Sequence, residues 1–126
     1  MYITNGATDV IDVVIAIPGP GISISYYASY ASVPGILITN GTAVVAGTVT
    51  LMPAPGIGNT NTLFGISVFN GSTNSATLTF RYNNAPSIQP VYVAILPPGF
   101  TLNYDGGPGP GGGEGWQIYN TSGTKQ

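Results

Sequence analysis

The chain has 126 residues, enough for one domain with a single core. It has no His and no Cys, and its charges are Arg81 and Lys125 against Asp9, Asp12, Asp105 and Glu114, a net −2. Charged residues are 5% of the chain, against about 25% in ordinary domains. This argues against histidine-based catalysis, thiolate or imidazole zinc sites, disulfides and binding to a phosphate backbone, which needs several cations.

Gly (19) and Pro (11) approach a low-complexity composition. The apolar fraction is nevertheless 43%, and apolar residues alternate with polar ones in many short runs, which disordered chains do not do. The expectation is one folded all-β domain over residues 1–126, burying about two-thirds of its unfolded surface. The longest apolar run, Val10–Ile17, has eight residues and includes Asp12, well short of the 18 or more of a membrane span. No basic stretch precedes it as in a secretory signal. Neither membrane nor nucleic acid is expected as a partner, and synthesis in a reducing cytoplasm fits the lack of Cys.

In chain order, Val10–Ile17 is apolar on both faces apart from Asp12, the pattern of a central or covered strand. Pro18-Gly19-Pro20-Gly21 ends it. Ile22-Ser23-Ile24-Ser25-Tyr26 alternates with period two and runs on to Tyr30. After Pro34-Gly35 comes Ile36–Thr39, then Asn40-Gly41, a type I′ hairpin signal because both central residues of that turn need φ > 0. Val44–Met52 is expected as the return strand. Leu63–Phe69 and Ala76–Tyr82 follow, with Asn70-Gly71-Ser72-Thr73-Asn74 expected as a hairpin loop between them. Val91–Leu96, Phe100–Tyr104 and Trp116–Tyr119 complete about nine strands. This spacing belongs to an antiparallel β-sandwich or jelly roll. Seven of the eleven residues in Asp105–Gly115 are Gly, so this segment is expected to be a flexible exposed loop. It lacks the Lys and the following helix of a phosphate cradle.

Ile3-Thr4-Asn5-Gly6 recurs at Ile38-Thr39-Asn40-Gly41 and loosely at Val68-Phe69-Asn70-Gly71, at unequal intervals of 35 and 30 residues. This reads as reuse of one turn rather than a solenoid. Asn40, Asn70 and Asn120 each begin a glycosylation triplet, which turn chemistry already explains. The four carboxylates read as solvated acids. Asp9 and Asp12, three apart, point to opposite faces of a strand, and Asp105 and Glu114 flank the loop, so neither pair suits glycosidase chemistry. No enzymatic activity and no cofactor or metal are expected.

Partner contacts are expected at Tyr26, Tyr27, Tyr30 and Arg81. Tyr26 and Tyr30 share a strand face with Ile22, Ile24 and Ala28, and core burial is the competing reading for both. Tyr27 points to the opposite, serine face, where it could stack on a sugar or pack on a protein. Arg81 shares a strand face with Thr77 and Thr79, either solvated or anchoring a subunit interface. The polar surface is carried by 14 Thr, 10 Asn and 9 Ser, whose hydroxyls and amides are desolvated at less cost than charges. Two nearly apolar strands, Val10–Ile17 and Ile36–Thr39, also need covering, and together these features point to a closed homo-oligomer.

The second half of the chain contains Ile66-Ser67-Val68-Phe69-Asn70-Gly71-Ser72, Ala76-Thr77-Leu78-Thr79-Phe80, Leu96-Pro97-Pro98-Gly99-Phe100-Thr101-Leu102-Asn103-Tyr104-Asp105 and Gly115-Trp116-Gln117-Ile118-Tyr119. Over residues 63–123 this order resembles small structural proteins of tailed-bacteriophage virions. The segment between Asp105 and Trp116 is longer than that pattern, and residues 1–62 have no counterpart in it. The resemblance implies a non-enzymatic β module on the capsid surface, a decoration or cement protein that forms a homotrimer and binds the major capsid protein or another virion protein. The alternative is a tail-fibre or receptor- and glycan-binding module using Tyr26, Tyr27 and the glycine-rich loop.

Overall fold

Period-two alternation gives each long strand one face toward a common interior. The computed structural model describes residues 3–5, 8–32, 35–84, 86–105 and 115–126. Among these the chain forms β1 (Ile3–Asn5), β2 (Val10–Ala16), β3 (Ile24–Ser32), β4 (Gly35–Ala43), β5 (Gly47–Met52), β6 (Asn61–Asn70), β7 (Ala76–Asn84), β8 (Ser87–Leu96), β9 (Thr101–Asp105) and β10 (Gly115–Tyr119). Two antiparallel sheets result, ordered β10-β9-β6-β3-β4, with β1 pairing the first residues of β6, and β5-β2-β7-β8. The protein is an all-β sandwich, as the strand spacing implies. Hairpins join β3 to β4, β7 to β8 and β9 to β10, and every other connection passes from one sheet to the other. With six strands against four, it departs from the eight-stranded jelly roll.

A single core lies between the sheets. Ile11, Val13 and Ile15 of β2, Leu78 and Phe80 of β7 and Leu96 of β8 meet Ile24 and Ala28 of β3, Leu63, Ile66 and Val68 of β6, and Leu102 of β9. Trp116 closes one flank of the sandwich. From edge strand β10 it stacks on Tyr92 of edge strand β8 at 4.5 Å between ring centroids, and it meets Phe80 at 4.8 Å and Tyr104 at 4.7 Å. The opposite flank is formed by β4 and β5. As its apolar sequence implies, β2 is central, flanked by β5 and β7.

Three local expectations are corrected. Asn40-Gly41 makes no turn: β4 runs through both residues, paired with β3 from Ser32↔Gly35 to Ile24↔Ala43. Gly41 stands opposite Tyr26, whose ring lies over it, and a Cβ there would be 2.6 Å from the Tyr26 hydroxyl. The glycine makes room for an aromatic cover on an edge strand. The segment after Asn70 is no hairpin either, because β6 and β7 belong to different sheets. It is a corner tied by Asn70, whose Nδ2 donates to the carbonyls of Leu96 (2.8 Å) and Asn74 (2.9 Å) while its Oδ1 accepts from Ser72 N–H. Finally, β8 begins at Ser87 and contains Pro90, next to a register shift opposite Phe80 and Arg81. Proline is tolerated there because β8 is an edge strand with a bulge. The glycine-rich stretch expected as a flexible loop lies, between its two ends, outside the described residues.

Candidate functional site

Five of the six strands of the larger sheet carry in-register rows across their outer face. One row is Gln117–Asn103–Ser67–Tyr27–Asn40, running β10, β9, β6, β3, β4. On one side of it lies the row Tyr119–Thr101–Phe69–Ser25–Thr42, and on the other Gly115–Asp105–Gly65–Ser29–Ile38. These residues face outward because their neighbours Trp116, Leu102, Val68 and Ala28 face the core. The result is an open groove of about 310 Å³ across β3, β6, β9 and β10. Tyr27 and Tyr119 stand toward its two ends, with Ser67, Asn103 and Gln117 between them and Asp105 along one side. Two glycines, Gly65 and Gly115, keep its floor low. At Gly65 a Cβ would lie 3.2 Å from the Tyr104 carbonyl oxygen.

The four residues expected as partner contacts are not brought together. Tyr27 is on the outer face, 41% exposed. Tyr30 is buried in the core, and Tyr26 is half-buried against it and over Gly41. Arg81 is on the outer face of the other sheet, directly across from Asp12. Its Nε donates to Asp12 Oδ1 at 2.8 Å and its Nη2 to Oδ2 at 3.0 Å, while Asn83 Nδ2 donates to Oδ2 at 2.8 Å. Asp12, only 2% exposed, is therefore not the solvated acid expected from the sequence, and Arg81 is an ion-paired cation that keeps part of its surface in water. Burial at mid-strand forces the carboxylate to take a partner, and the register supplies it. Hydrogen bonding to Asp12 holds the Arg81 guanidinium pKa above its ordinary value.

A second recess, of about 360 Å³, is bounded by Asp9, Tyr82, Asn84, Ser87 and Gln89. Burial, and then the negative charge of Asp9, raise the Tyr82 phenol above its ordinary pKa. Of the other acids, Asp105 lines the groove, and Glu114 lies outside the described residues.

The exposed apolar residues concentrate on the two flanks. Among the described residues, β4 is bonded only to β3 and β8 only to β7. On β4, Ile36, Leu37 and Ile38 are exposed, and Val44 and Val45 follow in the connection to β5; on β8, Ile88, Val93 and Ile95 are exposed. The sequence pointed to the first of these strands as one in need of cover. It missed the second, because Val91–Leu96 alternates like a strand with one face in solvent.

Asn70 was also missed as a structural centre, although its Asn-Gly-Ser signature was visible. It is fully buried, whereas Asn120 uses its Oδ1 in an exposed turn to accept from the N–H groups of Ser122 and Thr124. Comparison with known proteins returned no matching family model, no matching curated protein and no matching solved structure.

Proposed function

We propose that this protein is a non-enzymatic structural component of a tailed-phage virion, a decoration or cement protein that forms a closed homotrimer and binds the assembled shell. The observation that carries this reading is the pair of apolar edge strands on opposite flanks, Ile36–Ile38 on β4 and Val93 and Ile95 on β8. An edge strand offers unpaired backbone N–H and C=O groups, and soluble monomers usually protect such edges with charge, which is scarce here. Two different edges on opposite flanks favour a head-to-tail contact, β4 of one copy against β8 of the next, which closes into a ring when the rotation allows. The resemblance over residues 63–123 supplies the virion setting and the ring size of three.

The residues of that resemblance also belong to one structural unit. Pro97–Phe100 form a turn with Gly99 at φ +80° and Phe100 N–H donating to the Pro97 carbonyl at 3.1 Å. Gly99 N–H then donates to the Asn70 carbonyl at 2.7 Å. Leu102 and Tyr104 enter the core, and Trp116 joins the two sheets. Stabilisation of the shell follows from mass action, because the protein binds assembled subunits and not dissociated ones.

The test has two parts. Light scattering on purified protein is expected to give the mass of three 12.8 kDa chains, and a monomer at micromolar concentration overturns the trimer. Purified virions washed at about 1 M salt are expected to keep the protein, because attachment through apolar and amide groups is little screened. Wholesale release, or absence from the virion, overturns the assignment.

A further inference from the structure

From the groove on the outer face of the larger sheet, we propose a second activity: it is a binding site for a neutral saccharide. The inference goes beyond the assembly role and does not depend on it, because the flanks that would join copies are β4 and β8 while the groove crosses β3, β6, β9 and β10.

The chemistry of the lining selects the ligand class. A pyranose ring offers an apolar C–H face and a rim of hydroxyls, each both donor and acceptor. The first needs an aromatic side chain on a rigid support, and the second needs groups that donate and accept at neighbouring positions. Tyr27 and Tyr119 supply aromatic faces with two rotatable bonds each, at low entropic cost. Asn103 and Gln117 stand directly opposite each other on β9 and β10, each with an amide that donates and accepts. Ser67 continues the same row on β6, between Asn103 and Tyr27. Strands lie about 4.8 Å apart, so the row from Gln117 to Tyr27 spans roughly 14 Å, an extended strip rather than a point contact.

Charge excludes the main alternatives. Among the described residues, the one charged side chain in the lining is Asp105, a carboxylate that can accept from sugar hydroxyls and repels anions. Lys125 pairs with Tyr119 beyond β10 and so stands beside one end of the groove, outside its lining. Arg81 is on the outer face of the other sheet. A phosphate, a uronic acid or a sialic acid would find no cation in the groove to bind it. The volume of about 310 Å³ is at the small end for ligand sites, which fits a shallowly held saccharide with an affinity near the millimolar range.

The experiment records amide spectra of the ¹⁵N-labelled protein during titration with neutral hexasaccharides of glucose, galactose and mannose in several linkages. Oligogalacturonate serves as the acidic comparison. At least one neutral hexasaccharide is expected to bind, with shifts centred on Tyr27, Ser67, Asn103 and Gln117. Tyr27→Ala is expected to weaken it tenfold or more and Asn103→Ala about fivefold, while Tyr26→Phe, on the inner face, leaves it unchanged. Both groove positions are on the outer face, so all variants should keep the wild-type melting temperature and spectral dispersion. The site is overturned if no neutral hexasaccharide binds, if only the acidic one does, if the shifts map to β4, β8 or the smaller sheet, or if folded Tyr27→Ala binds as the wild type does.

Discussion

Asp12 and Arg81 face each other across the β2–β7 ladder, and each makes the other's position tolerable. The carboxylate is buried and takes three hydrogen bonds, whereas the guanidinium keeps part of its surface in water. Removing only the cation leaves a buried anion with Asn83 as its remaining side-chain donor. Arg81→Met is therefore expected to cost about 3 kcal/mol in urea denaturation. The double variant Asp12→Val with Arg81→Met removes both charges and extends an outer face that already carries Val10 and Val14. It should recover most of that loss, because an apolar pair replaces a buried ion pair at little net cost. If the double variant is less stable than Arg81→Met alone, the pair contributes more than mutual cover. At this scale the alternation was readable: Tyr26 and Tyr30 turn inward and Tyr27 outward, as period two requires. The ion pair was not, because its partners are 69 residues apart and only the sheet register brings them together.

At the scale of elements, local turn chemistry and long-range register compete, and Asn40-Gly41 shows which wins. The dipeptide favours a two-residue hairpin, but nine paired positions along β3 hold it extended. Asn70-Gly71 and Asn5 lie at strand ends instead, where buried asparagines collect carbonyls: Asn5 Nδ2 donates to those of Asp9 and Pro53. One short motif thus has two outcomes, decided by whether a neighbouring strand continues beside it. The three-residue β1 is too short to show periodicity, and the first half of β8 was hidden by Pro90. The cover of Gly41 by Tyr26 gives a measurable coupling. Gly41→Ala places a methyl against the Tyr26 ring and is expected to destabilise the wild type by about 1 kcal/mol. In a Tyr26→Ala background the clash is gone and alanine is the better strand residue, so the same change should be neutral or stabilising. A thermodynamic cycle on the four proteins should give a coupling of about 1 kcal/mol or more. Simple additivity would mean that the tyrosine moves aside at no cost.

For the whole molecule, two cations and four carboxylates leave most of the surface to hydroxyls, amides and exposed aliphatic side chains. Composition made that scarcity visible, and the strand pattern made the sandwich visible. Neither could show that the apolar side chains gather on opposite flanks, since that depends on which strands become edges. The flanks make the head-to-tail contact testable through charge. Ile38 of β4, 55% exposed, and Val93 of β8 are surface positions, so substituting them should leave the fold intact. Ile38→Lys alone and Val93→Glu alone should each disrupt the oligomer, because each puts a desolvated charge against an apolar strand. In the double variant every β4–β8 contact brings a lysine toward a glutamate, and association should partly return. The regained part should be weak, about 0.2–1 kcal/mol per contact, and should fade as salt is raised. A contact between two β4 strands would instead oppose lysine to lysine, leaving the double variant as dissociated as Ile38→Lys. Light scattering at low and high salt separates the two arrangements.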